Sequence, residues 1–162
     1  MSSDVEALLE RFRRGPDVVA VAITGAAGAE LDFVPAPGKW SIRQVLCHLA
    51  DSELVGAVRF RMVIAEDNPT LGAYNQELWA ARLDYSRRKI SQALETFRRT
   101  RAENYELLRA LPEGAFERPA VHAELGPLRL RDLLRIYAEH AENHARQLQS
   151  IREQYKQART RA

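Results

Sequence analysis

The sequence predicts an all-α protein, a four-helix bundle of the up-down-down-up type with long connections. Apolar residues recur at helical spacing in four long segments, and no segment shows the alternation that is typical of a half-buried strand. Irregular stretches rich in proline and glycine separate these segments. We predict one domain over residues 1–155, followed by a polar tail over residues 156–162 that frays.

The first helical segment is interrupted within its own apolar stripe. Gly15-Pro16 breaks the pattern, because the residue before a proline disfavours helical backbone angles. The apolar phase nevertheless continues across the break, so we expect a bent helix or two helices end to end. The stripe consists of Val5, Leu8, Leu9, Phe12, Val19 and Ile23.

The second helix has the clearest start signal in the chain. After the loop "LDFVPAPGKW", Ser41 and Gln44 form an S-x-x-Q capping box, in which each side chain bonds the other's backbone N–H group. This pattern predicts a helix over residues 41–66, and Asn68-Pro69 ends it.

Two further helices complete the predicted bundle. The third covers roughly residues 86–110 and stops at Leu111-Pro112, and the fourth runs near residues 130–155. A long connection after Asn68 is expected to cross one end of the bundle.

Composition excludes several classes of function. Among 162 residues the net charge is only +2, and the short basic clusters are balanced by acids, so no nucleic-acid partner is expected. No apolar run approaches the length of a membrane span, and the N-terminus lacks the apolar core of a signal peptide. The single cysteine, Cys47, excludes an internal disulfide and suits the cytoplasm; we interpret it as a small buried hydrophobe.

Three of the four histidines lie on core-facing flanks of predicted helices. His140 and His144 are four residues apart and therefore share one face of the fourth helix, and His48 lies on the flank of the second helix. Three neutral imidazoles that converge on a divalent cation are a common catalytic arrangement. The alternative is three histidines that serve packing and hydrogen bonding, since pairs at this spacing also arise by chance.

The segments that carry these histidines resemble a known family. The stretches "APGKWSIRQVLCHLADSE", "AEDNPTL" and "VHAELGPLRLRDLLRIYAEHAENHARQL" are similar to the DinB-like superfamily of bacterial metal-binding four-helix bundles. The resemblance implies that His48, His140 and His144 are the metal ligands, with Gln147 following the pair, and it makes a homodimer the expected assembly. Relatives commonly place Thr or Ser where this chain has Arg129, which leaves the start of the fourth helix open.

Polar residues on apolar faces are the remaining candidates. Glu53 lies in the apolar stripe of the second helix, where it either orients a ligand or pairs with an arginine of a neighbouring helix; we favour the pair. Arg101 and Asn104 lie on the apolar side of the third helix and either line a pocket for an anionic substrate or cap the end of the bundle. His122, in a loop, is expected to be structural or pocket-lining.

Four further residues carry weaker expectations. Asp51, one turn beyond His48, is expected to be exposed. Tyr74, Trp79 and Tyr85 either roof the site or belong to the core, which aromatic residues more often do.

The resemblance implies an enzyme that depends on a divalent metal and acts on a small molecule. Characterised relatives transfer low-molecular-weight thiols, so the first hypothesis is a thiol-dependent S-transferase. The alternatives are a hydrolase that uses metal-bound water, and a non-catalytic metal-binding stress-response protein. Imidazole ligands suit zinc or nickel, with iron or manganese as further options. A pocket above the metal distinguishes an enzyme from a closed structural site.

Overall fold

Helices make up most of residues 3–161, the part of the chain that the computed structural model describes. The six α-helices are α1 (Ser3–Arg13), α2 (Gly15–Ala22), α3 (Ile42–Ala65), α4 (Gln76–Arg82), α5 (Ile90–Arg109) and α6 (Leu130–Arg161). The strands are β1 (Thr70–Leu71), β2 (Pro119–His122) and β3 (Gly126–Arg129). These strands were not predicted, because none exceeds four residues and alternation cannot be recognised over so short a length.

The first bundle helix consists of two pieces end to end, as predicted. α1 and α2 meet at Arg14, directly before Gly15-Pro16. Gly15 is also required by packing, because a Cβ atom there would lie 2.6 Å from Nη1 of the Arg101 guanidinium.

Local hydrogen bonds set where the two helices that carry the histidines begin. In α3, Ser41 Oγ accepts from the Gln44 N–H and Gln44 Oε1 accepts from the Ser41 N–H, which confirms the predicted capping box. In α6, Asp132 accepts from the Arg129 N–H at 3.0 Å, which is the half of a capping box that the side chain in the first turn supplies.

The C-terminal tail predicted over residues 156–162 is helical as far as the structure describes it. α6 continues through Arg161, and Ala162 lies outside the described residues. The extension is anchored by Tyr155, whose ring packs 5.3 Å from the ring of Phe33.

Two apolar clusters define the directions of the helices. The first cluster joins α1 and the N-terminal part of α6 to the C-terminal halves of α3 and α5. The second joins α2 and the middle of α6 to the N-terminal halves of α3 and α5. The first and last bundle helices therefore run one way and the two middle helices the other, which confirms the up-down-down-up arrangement. α3 packs between α5 and α6, and α1–α2 packs against both from the other side.

The connection between α3 and α5 runs along the bundle rather than across one end. Since these helices are parallel, the chain must return over their full length. Leu71, near its start, belongs to the first cluster, and Ala80 and Tyr85, further on, belong to the second. β1 pairs in parallel with β2, and β2 pairs with β3 in a hairpin turned at Gly126, where φ is +74°. Within residues 3–161, no helix combines the length and apolarity that a membrane span needs.

Candidate metal centre

Three histidine side chains meet in the groove between α3 and α6. His48 projects from the second turn of α3, and His140 and His144 project from successive turns of α6. The Nε2 atom of His140 lies 3.0 Å from Nε2 of His48 and 3.1 Å from Nε2 of His144. One nitrogen from each of the three rings can be chosen so that all lie within 4.8 Å of one another.

Neighbouring side chains hold two of the rings in place. Gln147 Oε1 lies 2.7 Å from Nδ1 of His144, and because an amide oxygen can only accept, it assigns the ring proton to Nδ1. The Nε2 lone pair of His144 therefore faces the other two rings. Trp40 packs on His48 with ring centroids 5.0 Å apart, and His48 Nδ1 is buried without a hydrogen-bond partner.

Burial keeps the three imidazoles neutral. Burial, with a smaller contribution from the neighbouring histidines, lowers the pKa of His48 to about 3 and that of His140 to about 2. Burial also lowers the pKa of His144, against a smaller opposing effect from Gln147. Neutral imidazole is the form that binds a metal ion.

The donor set fits one divalent ion. Imidazole nitrogens bind zinc at about 2.0–2.1 Å, and two nitrogens at tetrahedral positions on the same ion then lie roughly 3.3 Å apart. The observed separations of 3.0 and 3.1 Å are slightly shorter than this spacing. The cluster is thus already arranged as a set of ligands, although each close pair is also compatible with one N–H···N hydrogen bond.

A cavity of about 550 Å³ opens beside the cluster. Its walls come from α3, from α6, from residues 73–76 of the long connection, and from the β2–β3 hairpin. The polar side chains in the lining include His48, Ser52, Arg59, Tyr74, His122 and His140. The volume lies within the range of small-molecule sites, roughly 300–1,000 Å³.

A second cavity of about 300 Å³ flanks the other side of the cluster. His144 and Gln147 line it, together with Trp40, whose indole N–H donates to Glu77. Gln76, at the start of α4, lines both cavities.

Glu53 and Arg101 form a buried ion pair, as favoured from the sequence. Both side chains are 1% exposed, and the guanidinium donates to the two carboxylate oxygens at 2.8 and 2.6 Å. Asn104 donates to the same carboxylate. Neither Glu53 nor Arg101 lines the cavity beside the histidines; the pair lies between the two apolar clusters and joins the helices there.

The remaining candidates lie in three different environments. His122 lines the cavity, and its Nδ1 accepts backbone N–H groups of Glu124 and Leu125, which leaves the ring proton on Nε2. Asp51 is buried rather than exposed, because it accepts from the Tyr85 hydroxyl and from Arg88. Cys47 is buried, as expected.

The three aromatic candidates divide between cavity and core. Tyr74 lines the cavity, whereas Tyr85 is fully buried and packs in the second cluster. Trp79 stacks on Tyr74 with ring centroids 4.5 Å apart.

Arg59 and Tyr137 also belong to the cavity wall, and neither was predicted as a site residue. Arg59 lies eleven residues after His48 on α3, a spacing that returns to the same helix face. That periodicity was the available signal, but it does not distinguish an arginine that lines a cavity from one that reaches solvent.

Comparison with known proteins assigns the chain to one family. The family model of the DinB superfamily matches residues 11–148. A protein of Bacillus mycoides named "Putative metal-dependent hydrolase" is 30% identical over 138 residues, 85% of this chain and 79% of that protein. A protein of the same name from Oceanobacillus iheyensis is 32% identical over 122 residues, 75% of this chain and 70% of its own length.

A solved structure has the same fold. YfiT from Bacillus subtilis, described as a probable metal-dependent hydrolase with an unusual four-helix bundle topology, matches with a TM-score of 0.88. The match covers 96% of this chain and 90% of YfiT at 23% sequence identity. From the family model and the sequence relatives we conclude that this chain belongs to the DinB superfamily.

Proposed function

We propose that the protein is a metal-dependent hydrolase of a small molecule, with one divalent ion held by His48, His140 and His144. The observation that carries the proposal is the convergence of three neutral imidazoles at the wall of a polar cavity. The names of the sequence relatives from Bacillus mycoides and Oceanobacillus iheyensis support hydrolysis over thiol transfer.

The cavity supports catalysis over a purely structural site. A structural metal site is closed by protein ligands, whereas a catalytic site keeps a position open. Here three protein ligands come together, and His48 and His140 line the open cavity. A non-catalytic metal-binding protein is expected to have a site that is packed shut. The cavity beside the histidines argues against that alternative.

The chain's own groups suggest how a substrate is held. A divalent ion supplies Lewis acidity, which polarises a carbonyl and lowers the pKa of water. Gln147 fixes the orientation of His144, and the Nε2–H of His122 is a donor available to a substrate. Ser52 and Tyr74 supply hydroxyl groups within the cavity wall. The burial of Tyr74 raises the pKa of its phenol, so the group stays protonated and can donate.

Thiol transfer is the second candidate, and the cavity on the other side of the cluster favours it. A transferase must bring two substrates to one centre, and the cluster is flanked by cavities of about 550 and 300 Å³. A low-molecular-weight thiol in one cavity and an electrophile in the other would both reach the histidines.

One set of measurements tests both candidates. Protein purified without a nickel column is analysed for metal and then assayed for hydrolysis of chromogenic esters and amides, with and without added thiols. Hydrolysis that requires metal and no thiol supports the hydrolase, and metal-dependent consumption of thiol with a chlorinated nitrobenzene supports the transferase. Retained metal with no turnover in any assay would overturn both.

The matched variants are His144→Ala and His122→Gln. The first removes a proposed ligand and should abolish both metal retention and turnover. The second changes a histidine that lines the same cavity outside the cluster, so metal content should remain unchanged. If His144→Ala retains full metal in the presence of a chelator, the proposed ligand set is wrong.

The metal, the assembly and the compartment belong to the same proposal. Zinc and nickel suit three imidazoles, and elemental analysis decides between them and iron or manganese. We propose a homodimer in the cytoplasm, and light scattering that gives 18.4 kDa at all concentrations would exclude the dimer.

A further inference from the structure

Arg59 differs from every comparable arginine in residues 3–161. Eight arginines in this range are buried or partly buried, and seven of these eight have a carboxylate oxygen within 4.0 Å of a guanidinium nitrogen. Those seven are Arg11, Arg43, Arg88, Arg101, Arg118, Arg131 and Arg152. Arg59 has no such partner in the described part of the chain, and it lines the cavity beside the histidines.

The guanidinium of Arg59 is held in place but has donors left over. Nη1 donates to the Tyr137 hydroxyl at 3.2 Å and Nη2 donates to the Gly72 carbonyl. A guanidinium carries five N–H bonds, so these two contacts leave three of them available. Nε is buried and has no acceptor. A buried donor of a charged group without an acceptor is unfavourable, and a bound ligand is one explanation for it.

Tyr137 connects Arg59 to the histidine cluster. Its ring lies 6.4 Å from the ring of His140, centroid to centroid, and its hydroxyl contacts Arg59. One tyrosine side chain therefore separates the unpaired cation from the proposed metal ligands. A small molecule within the cavity can reach both.

The other charges around the cavity leave Arg59 unopposed. Glu124 also lines the cavity, but it is exposed and lies beyond 4.0 Å from the guanidinium. Burial lowers the pKa of His48, His122 and His140, so these side chains are neutral and add no charge to the cavity.

We infer that the cavity selects small molecules that carry an oxyanion, a carboxylate or a phosphate, and that Arg59 binds this group while the reacting part lies at the histidines. The inference rests on the proposed hydrolase, because it places the substrate in the same cavity. It assigns the substrate class from the one unpaired cation in the described lining.

A purely structural role for Arg59 predicts a different outcome. If Arg59 only tied the Gly72 carbonyl to Tyr137, its loss would weaken all ligands alike. An anion-binding role changes the preference for charged over neutral ligands.

The test measures binding to metal-free protein, so it requires no turnover. Butyrate, propyl phosphate and the neutral isostere butyramide are titrated into ¹⁵N-labelled protein, and the Arg59 Nε–H resonance and the affinities are recorded. We expect either anion to bind about 10-fold more tightly than butyramide, as one charge-assisted hydrogen bond provides, and to shift this resonance. The stronger of the two anions distinguishes a carboxylate from a phosphate substrate.

Variants at one position, with a neighbour as control, complete the experiment. Arg59→Gln should lower anion affinity about 10-fold and leave butyramide binding unchanged, and Arg59→Lys should retain part of the preference because it keeps the charge. Arg61→Gln is the control, since Arg61 is exposed and already paired with Glu103.

Three results would each overturn the inference. They are equal binding of the anions and butyramide by the wild-type protein, no binding of either anion at tens of millimolar, or unchanged anion affinity in Arg59→Gln. The wild-type resonance shift decides the question even if a variant fails to fold. If the anions do not bind as expected, the measurements of metal content and turnover still test the hydrolase. If no hydrolysis is found, the measured anion affinities still test the role of Arg59.

Discussion

Replacing Gln147 with leucine should weaken metal binding although Gln147 is not a proposed ligand. The amide oxygen lies 2.7 Å from Nδ1 of His144 and fixes the tautomer that presents Nε2 to the cluster. Loss of such a partner typically costs 10–100-fold in metal affinity. Because Gln147 also lines the open cavity of about 300 Å³, water can take its place in part. We therefore expect a loss of metal affinity at the lower end of this range, about 10-fold or 1.4 kcal/mol.

Competition titration against a chromogenic zinc chelator at pH 7 measures this change directly. Gln147→Glu keeps an acceptor at the same position and should bind zinc at least as tightly as the wild type. Gln149→Leu introduces the same leucine at an exposed position of α6 and should leave the affinity unchanged. Equal zinc affinity of Gln147→Leu and the wild type would refute the role assigned to this hydrogen bond.

Three further predictions concern stability, each measured by urea unfolding followed by circular dichroism. Arg101→Met leaves Glu53 buried without its partner and should cost about 3–5 kcal/mol, whereas the double variant with Glu53→Met should recover most of this loss; equal losses would contradict the argument. Gly56→Ala places a Cβ atom 2.5 Å from an aromatic carbon and should cost about 1–3 kcal/mol, while Gly114→Ala, which meets nothing within 4 Å, should not. Burial lowers the pKa of His48 and of His140, so below about pH 6.5 the folded metal-free protein binds fewer protons than the unfolded chain. Its free energy of unfolding should therefore fall by about 2 kcal/mol for each of these two histidines between pH 7 and 5. His140→Ala should flatten this dependence, and an unchanged slope would argue against neutral buried rings.

Local signals predicted the helices well because each acts within a few residues. The capping box of Ser41 and Gln44 and the break at Gly15-Pro16 are readable without knowledge of the rest of the chain. The short strand β1 is different, since it exists only because it pairs with β2 about fifty residues later. Nothing within Thr70–Leu71 itself indicates a strand.

The same distinction between local and long-range signals applies to the candidate site. The helical spacing of His140 and His144 and the resemblance of the segment around His48 indicated that the three rings converge. The environment of Arg59 was not predictable, because it depends on which carboxylates the fold brings near the guanidinium. No carboxylate of the described residues lies within 4.0 Å of it. Asp51 was placed wrongly for a similar reason: Tyr85 and Arg88, which bury it, arrive from the long connection.

The way the cavity is assembled from distant parts of the chain has a consequence for the order in which the chain folds. The cavity wall combines residues of α3, the long connection, the hairpin and α6, so a growing chain cannot close it until α6 has been made. His48 contacts His140, which lies 92 residues later in the chain. Such non-local contacts form late because closing the intervening loop costs entropy. A chain interrupted before α6 can fold local helices, but it presents only His48 and His122 and has no assembled three-histidine cluster. The proposed metal site is therefore complete only once α6 has been made.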